Sequence, residues 1–325
     1  MFKRFLSLSL SIVAVLFMSS TSFDANRLNS QLSVSSAFFM PIPFEAPAEF
    51  KEVAFPVMEE PTASLRSFQD ESLEATMKAK ILAHPVWSKL YRNKKLSLGL
   101  VDMSNEDQPR FGTLNGRHMM YAASLPKIAV LAAAQDAIER GELKETAAVK
   151  ADMRLMIAKS NNAATTRMID RVGFENIERT MRDPDYRLYD PEFGGGLWVG
   201  KRYAAGGRRY PDPMRGISHA ATTEQICRYF YLLANGELVS EKSSATMMSY
   251  LVDPALHHKF VSVLDRVAPN AKVYRKSGSW SVFHADVAMV QGPERNYIMT
   301  AIVEDPAGEQ IIRDLGVVLD KLARS

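Results

Sequence analysis

Ser124-Leu125-Pro126-Lys127 sets a hydroxyl and an amine one helical turn apart, on a shared face. A serine hydroxyl ionises far above neutrality and attacks poorly unless a base lies within hydrogen-bond reach. Lys127 can be that base only if burial and neighbouring cations keep it neutral part of the time. Ser160-Asn161-Asn162 offers a second hydroxyl and side-chain amides, and Lys276-Ser277-Gly278 offers a cation and a hydroxyl for an anionic group. Together these residues have the parts for acyl transfer through a covalent intermediate. Each segment alone has a plainer reading: a helix cap with a surface lysine, a pair of capping residues, an edge strand with a solvated lysine. Each occurs once in the chain, and their joint occurrence favours the chemistry.

The elements that would hold these residues can be read from periodicity. Asp70 to about Leu90 is helical, with Ser72 as cap and Leu73, Met77, Ile81 and Leu82 as its apolar stripe. Leu96–Met103 and Arg110–Tyr121 read as strands joined by the polar turn Ser104-Asn105-Glu106-Asp107. Leu125–Arg140 is an Ala-rich helix stopped by Gly141, which places Ser124 at its start, where Pro126 is tolerated. Helices are expected at 151–159, 163–171 and 174–182, with Ser160 and its neighbours between two of them. Thr222-Thr223-Glu224-Gln225 is a capping box for a helix reaching Asn235. Strands at Lys272–Gly278, His284–Gln291 and Asn296–Val303 precede a final amphipathic helix, Gly308–Leu322. Two strands, a block of helices, three strands and a terminal helix describe an α+β protein with an antiparallel sheet. Gly278 at a strand end would let a ligand approach the backbone closely.

Composition bounds the rest. The formal net charge of +3 is small and dispersed, which argues against a nucleic-acid binder. The basic stretch Gly200 to Tyr210 reads either as a solvated loop or as a rim that attracts anionic substrate. Lys3 and Arg4 followed by the apolar run Phe5–Phe17 read as a secretory signal peptide over 1–25, although no clean Ala-x-Ala cleavage site follows the run and an uncleaved anchor is the alternative. The expected location is periplasmic or secreted, without a stable membrane span after cleavage. Residues 26–68, rich in proline and without sustained period, read as an extended or disordered segment, leaving 69–325 as one domain. Cys227 is the only cysteine, so no internal disulfide is available. No His-x-x-x-His pair occurs, and neither metal nor cofactor is expected. No Gly-x-Ser-x-Gly elbow surrounds any serine, which sets lipase-like hydrolases aside.

With these residues in place the chain resembles the penicillin-recognising serine hydrolases, and within them the class A β-lactamases. Residues 96–141 look like that family's first strands and nucleophile helix, 222–251 like its late helix pair, and 272–303 like its final strands. The resemblance implies a β-lactamase/transpeptidase-like fold: a five-stranded antiparallel sheet flanked by helices, with an all-helical subregion. It also implies roles. Ser124 would be the acylated nucleophile, Lys127 its base and Ser160 the shuttle to the leaving nitrogen. Asn162 would bind the substrate amide, and Lys276 and Ser277 its carboxylate, beside Gly278. The backbone amides of Ser124 and Ser279 would form the oxyanion hole.

The family hydrolyses its acyl-enzyme with a glutamate in a Glu-x-x-Leu-Asn segment preceded by Arg-Leu. Aligning on Arg187-Leu188 puts Glu192 at that place, but Gly195 and Gly196 stand where Leu and Asn should be. A deacylating base and a loop acid with no chemical role are both open readings of Glu192. The Ser124 to Ser160 interval is also shorter than the family's. The resemblance thus implies a monomeric hydrolase acting on a small β-lactam or cell-wall peptide, either as a β-lactamase or as a D-alanyl-D-alanine peptidase, related amidase or non-turnover binding protein.

Overall fold

The computed structural model describes residues Ser64–Ser325, so the signal-peptide reading and most of the 26–68 segment lie outside the described residues. The last residues of that segment are ordered: Leu65–Phe68 form a 3-10 turn, and Leu65 is buried in the core.

The chain then runs α1 (Glu71–Ala83), α2 (Pro85–Arg92), β1 (Leu96–Asp102), β2 (Arg110–Leu114), β3 (Met120–Tyr121) and α3 (Lys127–Glu139). Next come α4 (Ala147–Ala158), α5 (Asn162–Val172), α6 (Phe174–Arg182), β4 (Tyr189–Asp190), β5 (Gly195–Gly196), β6 (Trp198–Val199) and β7 (His219–Ala221). The last part is α7 (Thr223–Ala234), α8 (Glu241–Leu251), α9 (Phe260–Val267), β8 (Lys272–Trp280), β9 (Phe283–Gly292), β10 (Arg295–Glu304) and α10 (Gly308–Leu322). Five strands form one antiparallel sheet in the order β2-β1-β10-β9-β8, with β8 at an edge.

Two of the expected elements divide. The helix expected over Asp70–Leu90 is broken because Pro85 cannot continue α1 and disfavours helical backbone at His84. His84 caps α2 instead, with Nδ1 accepting from Trp87 N at 3.4 Å. The strand expected over Arg110–Tyr121 ends at Leu114, where Asn115 turns left-handed at φ +54°. The chain leaves the main sheet there and pairs as β3 with β7.

Strand period sorts the core into two layers. Val287, Met289, Ile298 and Ile302 face one cluster, which includes α3 and α7. Ala288, Val290, Met299 and Ala301 face the other, with Met77 of α1, Leu264 of α9 and Leu315 of α10. Helix α3 is central to the first layer: every residue from Lys127 to Ala137 is buried. Among the described residues no helix is long and apolar enough to cross a membrane.

Candidate active site

The nucleophile segment is a tight turn ahead of α3. Ala123 is left-handed at φ +52°, Leu125 N donates to Ala122 O at 3.0 Å, and Lys127 N donates to Ser124 O at 3.3 Å. Ser124 therefore precedes the helix, whose first residue is Lys127 and whose cap is Pro126. Strand β8 packs straight onto this turn. A Cβ on Gly278 would lie 2.2 Å from Ala122 O and 2.7 Å from Ser124 N, so only glycine allows the approach.

The lysine expected as base is fully buried. Its ammonium donates to Ser160 O at 2.6 Å, to Asn162 Oδ1 at 2.8 Å and to Ser160 Oγ at 3.3 Å. The expected Ser124 to Lys127 hydrogen bond is not among these contacts. Lys276 Nζ reaches the same Ser160 Oγ at 2.9 Å and donates to Ser277 O at 2.7 Å. Ser160 thus joins the two lysines from a left-handed turn at φ +52° between α4 and α5. Asn161 caps α5, with Oδ1 accepting from Ala164 N at 2.8 Å, which leaves Ser160 and Asn162 facing the lysines.

Burial sets the charge state of this pair. Desolvation pulls Lys127 down to about 7, and it pulls Lys276, which also feels the charge of Lys127, well below the ordinary lysine range. An amine half neutral near pH 7 can accept the proton of a neighbouring hydroxyl.

The structure brings Ser124, Lys127, Ser160, Asn162, Lys276, Ser277, Gly278 and Ser279 to one seam between α3, the α4–α5 turn and β8. Glu192 is not brought to it. Its side chain is 79% exposed in the short turn Pro191–Phe193 and lies 3.6 Å from Arg187. No contact joins it to Ser124, Lys127 or Ser160 among the described residues.

Two side chains at the seam escaped the sequence reading. Tyr203 lays its ring over Lys127, with Nζ 4.5 Å from the centroid, and donates from Oη to Ala123 O at 3.0 Å. His219 lies against Tyr203 at 4.3 Å and beside Tyr121 at 5.9 Å. Burial lowers His219 to about 4, so it is neutral, with Nε2 donating to Lys201 O at 3.0 Å. Tyr203 belongs to the basic loop, whose cations turn toward helix acids: Arg202 pairs with Asp170 at 2.6 Å and Arg208 with Glu175 at 2.9 Å. The substrate-rim reading of this loop loses those two charges to α5 and α6. An aromatic residue set between cations was the available signal.

Among the described residues no group of three or more His, Cys, Asp or Glu is placed to hold a metal ion. A cavity of about 620 Å³ lined by Arg66, Glu74, Lys94, Arg117, His118 and Glu224 shares no lining residue with the seam.

The model of the beta-lactamase enzyme family matches residues 144–321, more than half of the chain. The fold is similar to a solved beta-lactamase from Sphaerobacter thermophilus DSM 20745, at 18% identity and TM-score 0.58, covering 76% of this chain and 97% of that one. It is similar to a point mutant of PBP-A, solved as an acyl-enzyme complex with penicillin-G, at 18% identity and TM-score 0.58, covering 78% and 96%. A beta lactamase from Xanthomonas campestris pv. campestris str. ATCC 33913 matches at 15% identity and TM-score 0.58, covering 78% and 97%. No curated protein matches the chain.

Proposed function

The chain belongs to the beta-lactamase enzyme family, and on that premise we propose that it is an exported serine hydrolase that opens a β-lactam or related amide through an ester on Ser124. The observation that carries this reading is the buried pair of lysines joined through Ser160 beside the Ser124 turn. Neutral Lys127 takes the Ser124 proton as Oγ adds to the substrate carbonyl. Ser160 returns a proton to the departing nitrogen, and the amides of Ser124 and Ser279 hold the developing oxyanion. Lys276 and Ser277 hold the substrate carboxylate.

Release of the ester is slow in this reading. Hydrolysis needs a base on the attacking water, and the groups against Lys127 are a serine, an asparagine and the ring of Tyr203, none of them a carboxylate. The exposed position of Glu192 favours a long-lived adduct, as in a peptidase or binding protein, over rapid antibiotic turnover.

A labelled penicillin is expected to add its mass to Ser124 and to leave Ser124→Ala unmodified. Adduct lifetime, followed beside hydrolysis of a chromogenic cephalosporin, is expected to be equal in the parent and Glu192→Gln. Clearance by the parent with accumulation in Glu192→Gln would restore Glu192 as the deacylating base. Failure of every β-lactam tried to form an adduct or turn over would sink the assignment.

A further inference from the structure

Lys259 is a buried cation that the acylation chemistry above does not use. It lies just ahead of α9, is 0% exposed and is left-handed at φ +55°. Its ammonium donates to Gly278 O at 2.6 Å, Ser279 Oγ at 2.9 Å and Ala285 O at 3.0 Å. Burial lowers it to about 8, and a desolvated ammonium on strained backbone is an expensive way to fasten two strands. The strands do not need it: β8 and β9 pair without interruption from Lys272↔Gln291 to Trp280↔Phe283.

Gly278 C=O and Ser279 N–H belong to one peptide unit, and in a trans peptide they point in opposite directions. The register fixes which way. Asp253 N donates to Val273 O across the outer edge of β8. Position 273 therefore turns its backbone groups away from β9, and the period of two carries that orientation to 275, 277 and 279. The Ser279 N–H faces the outer edge while the carbonyl behind it meets the Lys259 ammonium. The same peptide adjoins the Ser124 turn, through the close approach at Gly278. A cation on the carbonyl draws electron density along the amide and makes its N–H a stronger donor.

We propose that Lys259 is a positioning residue of the oxyanion hole, fixing and polarising the Gly278–Ser279 peptide so that the Ser279 amide binds the oxyanion. The proposal rests on Ser124 acylation. In that step the Oγ–C bond forms as the hydroxyl proton passes to Lys127, and the carbonyl π pair moves onto oxygen. The pair returns as the C–N bond breaks and the nitrogen takes up the proton through Ser160. Only the middle of this sequence carries the negative oxygen that Lys259 supports.

The test is Lys259→Met, which keeps a long stem and removes the charge. With a labelled penicillin, the acylation rate constant is expected to fall about tenfold, while the binding constant stays within about twofold. The ester carbonyl band of the adduct, read by infrared difference spectroscopy, is expected to move to higher wavenumber. Lys259→Arg is expected to recover part of the rate. An unchanged rate in folded Lys259→Met overturns the proposal, as does a slower rate with an unmoved band. If the Met variant does not fold, Lys259→Arg and Lys259→Gln are compared in the same way, and equal rates and bands overturn it. Absence of an adduct in the parent overturns the acylation reading itself, and this proposal with it.

Discussion

Lys127 carries a penalty and a capacity in the same atom. Its amine is held at about 7 by burial, so the acylation rate of the parent is expected to rise with pH through about 7 and then level. A rate profile measured from pH 5 to 9 checks this, and a flat profile would remove Lys127 as the base. The penalty has a sign that can be worked out. The folded pKa lies below the unfolded one, so between about 7 and 10.5 the unfolded chain binds more protons and stability rises with pH. Below about 7 both forms are protonated and the full cost of the buried charge is present. Lys127→Met is therefore expected to gain on the parent as pH falls from 10 to 7, by at most about 1.4 kcal/mol per pH unit, read from denaturant midpoints. The same variant should form no adduct.

The loop from Gly200 to Tyr210 acts on that amine from outside. Arg202 and Arg208 pin it to α5 and α6, and Tyr210 Oη donates to Glu178. The loop so pinned holds Tyr203 over Lys127. Replacing both arginines by alanine is expected to loosen the cover and let water reach the amine. Two effects then oppose: lost desolvation raises the lysine pKa, and the lost ring contact lowers it. Desolvation wins, because it moves Lys127 from 10.5 to about 7, whereas a cation over a ring contributes about 0.5–2 kcal/mol. The acylation limb should shift to higher pH, with a several-fold loss at pH 7 that recovers by pH 9; a limb left in place would dismiss the loop as a cover.

How much of this was legible depended on sequence separation. Helix α10 spans the residues its amphipathic pattern marked, Gly308–Leu322. The three late strands appear within two residues of their expected ends because each is a short contiguous run, buried on both faces through its middle. Helix α9 was missed: it is eight residues long, starts at a left-handed lysine and has no side-chain cap. The extension of Arg110–Tyr121 past Leu114 overlooked Asn115-Gly116, a pair that favours turning backbone. The three motifs were readable because each is contiguous. Tyr203, His219 and Lys259 were not, since each reaches the seam through packing between distant segments.

At the scale of the molecule, a buried ion pair between two strands also holds the segment that leads into α9. Arg275 on β8 meets Asp286 on β9 at 2.7 Å, with side chains 2% and 0% exposed. Asp286 also accepts from Phe260 N at 3.1 Å, at the start of α9, and Arg275 donates to Leu256 O at 2.9 Å. Removing one partner leaves a buried charge unmatched, so Asp286→Asn is expected to cost about 3–5 kcal/mol and lower the melting temperature by about 10 °C. A shift under about 2 °C by calorimetry would show that this pair contributes little to holding the strands and that segment.

Strand β8 ends the sheet, yet only part of its rim is bare. Val252 and Asp253 lie along its first half, bridging Tyr274 and Val273. In the second half, Lys276 meets the outward carbonyl of Ser277, and the Ser279 amide is left for whatever enters beside Ser124. Open rims invite other chains to join them, and proteins commonly cover them. Here the cover stops where the chemistry begins, so an extended peptide entering this cleft would arrive as a sixth strand, its amide aligned by the same ladder that builds the sheet.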